Sequence, residues 1–347
     1  MAEGDPRPVR EEDSFDVAAV ATWLGTEVPE VRQFLGGASN LTYLLRYADR
    51  DLILRRPPTG HKAKSAHDMG REYRIQKALK PGFGLVPEMV GYCDDESVIG
   101  SPFYVMERLD GTILRRDLPS GMSLDPAQAR ALCENALDVL IALHRVSPDE
   151  AGLADLGRGP GYVARQVAGW SDRYRRARTD DVGDFEDVMG WLDARRPDDV
   201  GACLIHNDFR FDNLVLAPDD PLQVRGVLDW EMATVGDPLM DLGGMVAYWV
   251  QADDDEFLAR FRRQPTNLPG MLTREQVVAY YCGATGFALT PEQWLFYEVF
   301  GLFRLGVIAQ QIYYRLFHGQ THNEAYRIFH PAVRYLEQRS RRMIGLP

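Results

Sequence analysis

The sequence predicts an α+β protein of two lobes, a small β-rich N-terminal lobe over residues 16–107 and a larger, mostly helical C-terminal lobe over residues 108–347. Three observations carry that expectation. Short apolar runs bounded by turn residues crowd the first hundred positions. Apolar residues at helical spacing dominate from residue 124 onward. No internal repeat or low-complexity tract interrupts either part.

Residues 1–15 are charged and proline-containing and read as a loosely ordered tail ahead of a short helix at 17–24. The runs 41–47 and 52–56 flank the polar segment 48–51, a hairpin signal. A helical pattern over 66–80 carries Met69, Tyr73, Ile75 and Leu79 among charges, and Pro81 with Gly82 is expected to stop it. Strands at 88–93 and 103–108, separated by the acidic turn 94–97, complete a small antiparallel sheet with one helix packed on it, and the lobe ends near Glu107. Helices are then expected at 126–145, 162–178, 185–195, 239–251, 275–283, 291–318 and 324–342, with strand-like runs at 202–205, 213–216 and 223–229.

The 347 residues are 45% hydrophobic, enough to bury a sizeable core. A net charge of -12 gives a field that repels phosphate backbones and anionic bilayers, so nucleic-acid and membrane partners are not expected. Cys93, Cys133, Cys203 and Cys282 are far apart in sequence, form no CxxC pair and read as reduced thiols. No apolar leader opens the chain, and no run approaches the ~18 residues a membrane span requires, so the expected address is cytoplasmic.

The chemistry is concentrated in residues 204–216 and 227–242. The first segment holds His206, Asp208 and Asn213 in the pattern His-x-Asp-x-x-x-x-Asn, and the second places Asp229 at the end of an apolar strand. A turn at 218–221 lies near the midpoint between Asn213 and Asp229, so an antiparallel hairpin sets those two side by side at its open end. Asp208 lies in the loop leading to that end. Two carboxylates and a carboxamide make a hard-oxygen set suited to Mg²⁺, which keeps waters and phosphate oxygens in its shell. The spacing matches the catalytic loop of kinases, with Asp208 as base, Asn213 and Asp229 as metal ligands, and His206 bracing the loop.

These paired motifs, His-Asn-Asp-Phe-Arg-x-Asp-Asn and Asp-Trp-Glu followed by Gly-Asp-Pro, resemble the aminoglycoside phosphotransferase and choline-kinase-like superfamily. Within it the likeness is to the branch that includes the kinase-like domain fused to some acyl-CoA dehydrogenases. The resemblance runs from about Phe34 to the last helix and implies a bilobal protein-kinase-like fold that binds ATP with Mg²⁺ and phosphorylates a hydroxyl group of a small-molecule acceptor. It implies further that Arg55 contacts phosphate where the family usually has lysine, with Glu72 as its ion-pair partner and Arg56 as a substitute contact. Gly37, Ser39 and Asn40 fall where a loop would cover the phosphates. Met106, Glu107 and Leu109 fall at the hinge that meets adenine. The implied acceptor is a hydroxy acid or its CoA ester, with aminoglycosides, amino alcohols and sugars as the wider family's alternatives. Arginine at the lysine position also suits a nucleotide-binding regulator without turnover.

Other residues carry blander readings. Glu231 reads as a support to the metal site, Asp237 and Asp241 as loop anchors and helix caps, and His144 as a packing histidine. The aromatic residues between Trp294 and Phe317 read mainly as core. The acidic stretch 253–256 reads as a solvated face, or as the lining of a groove for a cationic acceptor.

Overall fold

Alternation along the strands of the N-terminal sheet decides which polar residues reach the site. The computed structural model describes residues 6–34, 40–58 and 68–347. Its first elements are α1 (Val17–Leu24), β1 (Glu30–Phe34), β2 (Leu41–Arg46), β3 (Asp51–Arg56), α2 (Met69–Phe83), β4 (Met89–Cys93) and β5 (Phe103–Glu107). The five strands form an antiparallel sheet in the order β1-β2-β3-β5-β4. Tyr43, Leu45, Leu52, Leu54, Phe103 and Val105 face a core shared with Val20 of α1. Leu44, Ile53, Tyr104 and Met106 face the other way, against Met69 of α2. Successive strand side chains point to opposite faces, so Arg55 follows Ile53 to the α2 side and Arg56 follows Leu54 to the α1 side.

Two local expectations change here. The segment read as a loose tail is packed from Pro6 onward: Arg7 bridges Gln33, Gln33 Nε2 donates to Asp13 Oδ2 at 2.7 Å, and Phe15 meets Tyr43 edge-on. It supplies acceptors that a buried arginine requires, since Arg56 Nη2 donates to Asp13 O at 2.6 Å. Helix α2 runs through Pro81 and ends at Gly84, which adopts φ 74° and donates to Lys80 O. Pro81 sits in the last turn, and the sterically free Gly84 takes the reversal instead.

The chain continues through α3 (Pro126–His144), α4 (Tyr162–Ala177), α5 (Glu186–Arg195), β6 (Cys203–Ile205), β7 (Leu214–Leu216), β8 (Val224–Val227), β9 (Thr234–Gly236), α6 (Pro238–Ala247), α7 (Glu256–Phe261), α8 (Arg274–Thr285), α9 (Pro291–Phe317) and α10 (Phe329–Met343). Two compact units result. One comprises residues 1–123, 151–153 and 211–232, and the other residues 124–150, 154–210 and 233–347. The β7–β8 hairpin therefore groups with the N-terminal sheet, although a boundary near Glu107 assigns it to the helical lobe. Three contacts hold it there. Val227 N donates to Leu85 O at 2.8 Å, Thr112 bridges Leu216, and Leu109 occupies the space over Gly226, where a Cβ would lie 2.2 Å from Leu109 Cδ1.

In the second unit β6 pairs with β9, and α9 packs against α4, α6 and α10. Strand β9, at three residues, is too short to show alternation in sequence. The 324–342 helix is divided into a 3-10 turn at Glu324–Ile328 and α10. Helix α9 also corrects the expectation that no run approaches a membrane span: by length and composition it is long and apolar enough to cross one, and 67% of its most apolar window is buried inside the protein. Helices α6 and α9 approach so closely that a Cβ on Gly301 would stand 2.3 Å from Gly243 O. Replacing Gly301 with alanine is expected to force the helices apart and destabilise the protein by about 1–3 kcal/mol. A lower urea midpoint with an unchanged slope checks this; an unaltered midpoint excludes a tight crossing.

Candidate active site

Strand β3 delivers Arg55 beneath α2, and the first turn of α2 delivers Glu72. Arg55 Nη1 lies 2.6 Å from Glu72 Oε1, and Arg55 Nη2 lies 3.1 Å from Asp229 Oδ1. Arg55 and Glu72 are both buried, and the Asp229 side chain is about one-third exposed. Burial works against charge on Arg55, but Glu72, Tyr104 and Asp229 outweigh it and raise its pKa well above the ordinary arginine value. Burial pushes the Glu72 carboxyl up, and Arg55 pulls it back. The expected ion pair between these residues is present, and the guanidinium spans two carboxylates in a way that a lysine point charge does not reproduce.

Asp229 reaches Arg55 because the hairpin belongs to the same unit. Leu214 pairs with Val227, and Leu228 N donates to Asn213 O at 2.8 Å, which sets Asn213 and Asp229 together at the hairpin's open end. Asp229 adopts φ 66°, the left-handed region that aspartate tolerates better than most residues. The following turn is held by Trp230, whose Nε1 donates to Val227 O at 2.9 Å. A carboxylate and a carboxamide with one partly open side fit a hard cation that retains waters and phosphate oxygens. Among the described residues no cluster of three or more His, Cys, Asp or Glu has metal-binding geometry.

The second unit carries the catalytic-loop motif on the segment after β6. Asp241, fully buried on α6, accepts from His206 N and Asn207 N at 2.7 Å each and lies 3.1 Å from His144 Nε2. Tyr281 OH completes the chain at 2.6 Å from His144 Nδ1. His206, also fully buried, accepts Asp208 N on Nδ1 at 3.2 Å. Its ring thereby ties down the backbone at Asp208. Asn207 takes φ 64°, and its carbonyl accepts Arg304 Nη2 at 2.7 Å. Asp208 Oδ2 lies 3.2 Å from Arg210 Nη2, and the Arg210 guanidinium stacks 4.6 Å above the Tyr248 ring. The loop is thus fixed from both backbone and side chains.

The remaining sequence-selected residues make the following contacts. Gly37 and Ser39 lie outside the described residues. Asn40 is buried and donates from Nδ2 to Glu231 Oε2 at 3.2 Å, while Arg71 holds Glu231 O. Met106 faces the α2 core, Glu107 Oε2 accepts Glu88 N, and Leu109 covers Gly226. Arg56 points to the opposite sheet face, where it stacks on Phe15 and Tyr43, so strand alternation removes it as a substitute phosphate contact. Asp237 caps α6 as expected, accepting Leu239 N and Met240 N. The acidic stretch is the solvated face expected, with Asp253, Asp255 and Glu256 exposed; within it Asp254 pairs with Arg274 at 2.6 Å, and Asp255 caps α7 and accepts Tyr335 OH. Phe296, Tyr297, Phe300 and Phe303 are core. Arg304 and the His144–Asp241 contact carried no sequence signal, because their partners lie 97 positions away, whereas Arg210 stands inside the His206–Asn213 motif, two positions from Asp208.

Burial alone raises the Asp241 carboxyl, but the His144 hydrogen bond, the His144 and His206 charges and the His206 amide outweigh it and hold it below its ordinary 3.8. A depressed folded-state pKa means that the stabilisation is complete above the unfolded value and is lost as pH falls through the folded one. Asp241→Asn is therefore expected to destabilise the protein by about 3 kcal/mol at neutral pH. The gap from wild type should narrow below about pH 4. Urea unfolding across pH 3–7 measures the gap; a gap constant across that range contradicts the assignment.

The model of the phosphotransferase enzyme family matches residues 30–275. Acyl-CoA dehydrogenase family member 10 of Mus musculus is 36% identical over 324 residues, covering 91% of this chain and 30% of that protein. Family member 11 of Gallus gallus is 33% identical over 346 residues, covering 95% of this chain and 44% of that protein. The chain thus spans less than half the length of these curated relatives. A solved structure from Ralstonia eutropha, assigned as an aminoglycoside phosphotransferase, superposes with a TM-score of 0.80 at 29% identity, covering 95% of this chain and 98% of that one. Choline kinase from Cryptosporidium parvum shares the fold at a TM-score of 0.59 and 11% identity, covering 91% of this chain and 89% of that one. The family match takes in Arg55, Glu72, the loop around Asp208 and the hairpin that pairs Asn213 with Asp229, and the chain belongs to the phosphotransferase enzyme family.

Proposed function

We propose that the protein transfers the γ-phosphoryl group of ATP, with Mg²⁺, to a hydroxyl group of a small molecule, a hydroxy acid or its CoA thioester. The observation that carries this reading is the adjacency of Asn213 and Asp229 on one hairpin, with Asp229 also held by the buried Arg55–Glu72 pair. A structural neighbour, aminoglycoside phosphotransferase APH(4)-Ia, is solved in a ternary complex with AMP-PNP and hygromycin B, which supports ATP as the donor. The names of the curated relatives favour an acid or thioester over an aminoglycoside.

Asn213 and Asp229 would hold Mg²⁺, which supplies neutralisation of the phosphate oxygens. Arg55 orients Asp229 through its Nη2 contact. Asp208, held by Arg210 and by the backbone contact to His206, accepts the proton of the attacking hydroxyl. The acceptor oxygen bonds to the γ-phosphorus as the bond from that phosphorus to the β–γ bridging oxygen breaks, and ADP leaves with that electron pair.

Asp208→Asn should lower kcat by about 10²–10⁴ while ATP affinity stays close to wild type. Asp229→Ala should raise the Mg²⁺ concentration for half-maximal rate about tenfold, the effect of losing one ligand. Acceptor-dependent ATP consumption across hydroxy acids, CoA thioesters, amino alcohols and aminoglycosides measures both. Wild type that binds Mg–ATP but consumes none with any acceptor would overturn the reading in favour of a nucleotide-binding regulator.

A further inference from the structure

We propose that the acceptor is anionic and that Arg173, stacked on the Trp170 ring that Arg304 shares, recognises its charged end. The inference rests on the phosphotransfer reading, because the neighbourhood of Asp208 is what makes this an acceptor subsite. Arg173 lies one turn beyond Trp170 on α4, with its guanidinium carbon 4.6 Å from the indole centroid. Arg304 arrives from α9 and stacks on the same ring at 5.2 Å. Glycine at 244 gives it passage, since a Cβ there would stand 3.1 Å from Arg304 Nη1. The same Arg304 donates to the carbonyl of Asn207, the residue before Asp208, and Tyr162 OH lies 3.4 Å from Asn207 Oδ1. One indole therefore carries two guanidiniums, one of which holds the residue before the proposed base.

The charge that an anion would balance here is that of Arg173. Arg173 is exposed and makes no ion pair among the described residues. After burial, the charges of Arg176 and Arg304 lower its pKa, and the one opposing group is the Tyr162 hydroxyl. Like charges held close repel, and here they are gathered in a chain whose net charge is -12. A planar guanidinium takes a carboxylate or a phosphate through two parallel hydrogen bonds. A cationic acceptor would meet repulsion here, and in the acidic stretch Asp254 and Asp255 already hold Arg274 and Tyr335.

The test is equilibrium binding by titration calorimetry to the full chain, with and without Mg–ADP. The probes are 2-, 3- and 4-hydroxybutyrate, 3-hydroxybutyryl-CoA, CoA alone, methyl 3-hydroxybutyrate and kanamycin. At least one anion is expected to bind ten-fold or more tighter than the neutral ester, with that margin shrinking in high salt. Arg173→Gln should erase the margin, and Arg173→Lys should retain part of it. The free acids against the CoA arms tell a carboxylate from thioester phosphates. Binding of no anionic probe, kanamycin bound more tightly than every anion, or Arg173→Gln binding anions as wild type does would each overturn the proposal. Charge-selective binding without turnover would instead remove the phosphotransfer reading alone.

Discussion

A guanidinium buried at the end of β3 is the constraint around which the first unit is arranged. Removing a charge from water costs several kcal/mol unless partners replace the solvent, and Arg55 finds two, Glu72 from α2 and Asp229 from the β7–β8 hairpin. That requirement links three elements far apart in sequence. It also explains why the hairpin belongs with the sheet: with Val227 tied to Leu85 and Leu109 seated over Gly226, Asp229 is delivered to Arg55. The arginine at a position where the family usually has lysine is thus an integral part of the local charge balance.

The second unit solves a parallel problem with a carboxylate. Asp241 is fully buried, and its oxygens receive two backbone donors from the loop that bears Asp208 and one imidazole. Each contact satisfies a polar group that would otherwise be stranded, and together they hold Asn207 in its left-handed conformation. Backbone strain of this kind persists where surrounding contacts over-determine it. Asp208 follows immediately, so the position of the proposed base is inherited from a residue that takes no part in the chemistry.

Charge is distributed unevenly between structure and surface. Much of the acidic excess is employed structurally, in helix caps such as Asp237 and Asp255 and in the Asp254–Arg274 pair. Around Trp170, Arg173 and Arg304 share one ring, and Arg304 reaches the loop that bears Asp208. Net charge describes the field far from the molecule, whereas recognition depends on the few groups within a screening length of the ligand.

Local pattern in the sequence determined most of the elements. Period-two runs marked β2, β3 and β5, helical spacing marked α3, α4 and α9, and the separation of Asn213 from Asp229 about a proline-rich turn made their adjacency legible, because a hairpin's register follows from its turn. Composition could not show that the first residues pack on Tyr43, since that depends on the need of Arg56 for carbonyl acceptors. Only the tertiary structure decided that His144 supports the loop through Asp241 and that Arg304 joins Arg173 on one indole. Those outcomes join residues whose separation exceeds any local period, and they are set by which buried charges and polar groups must find one another once the helices and strands have packed.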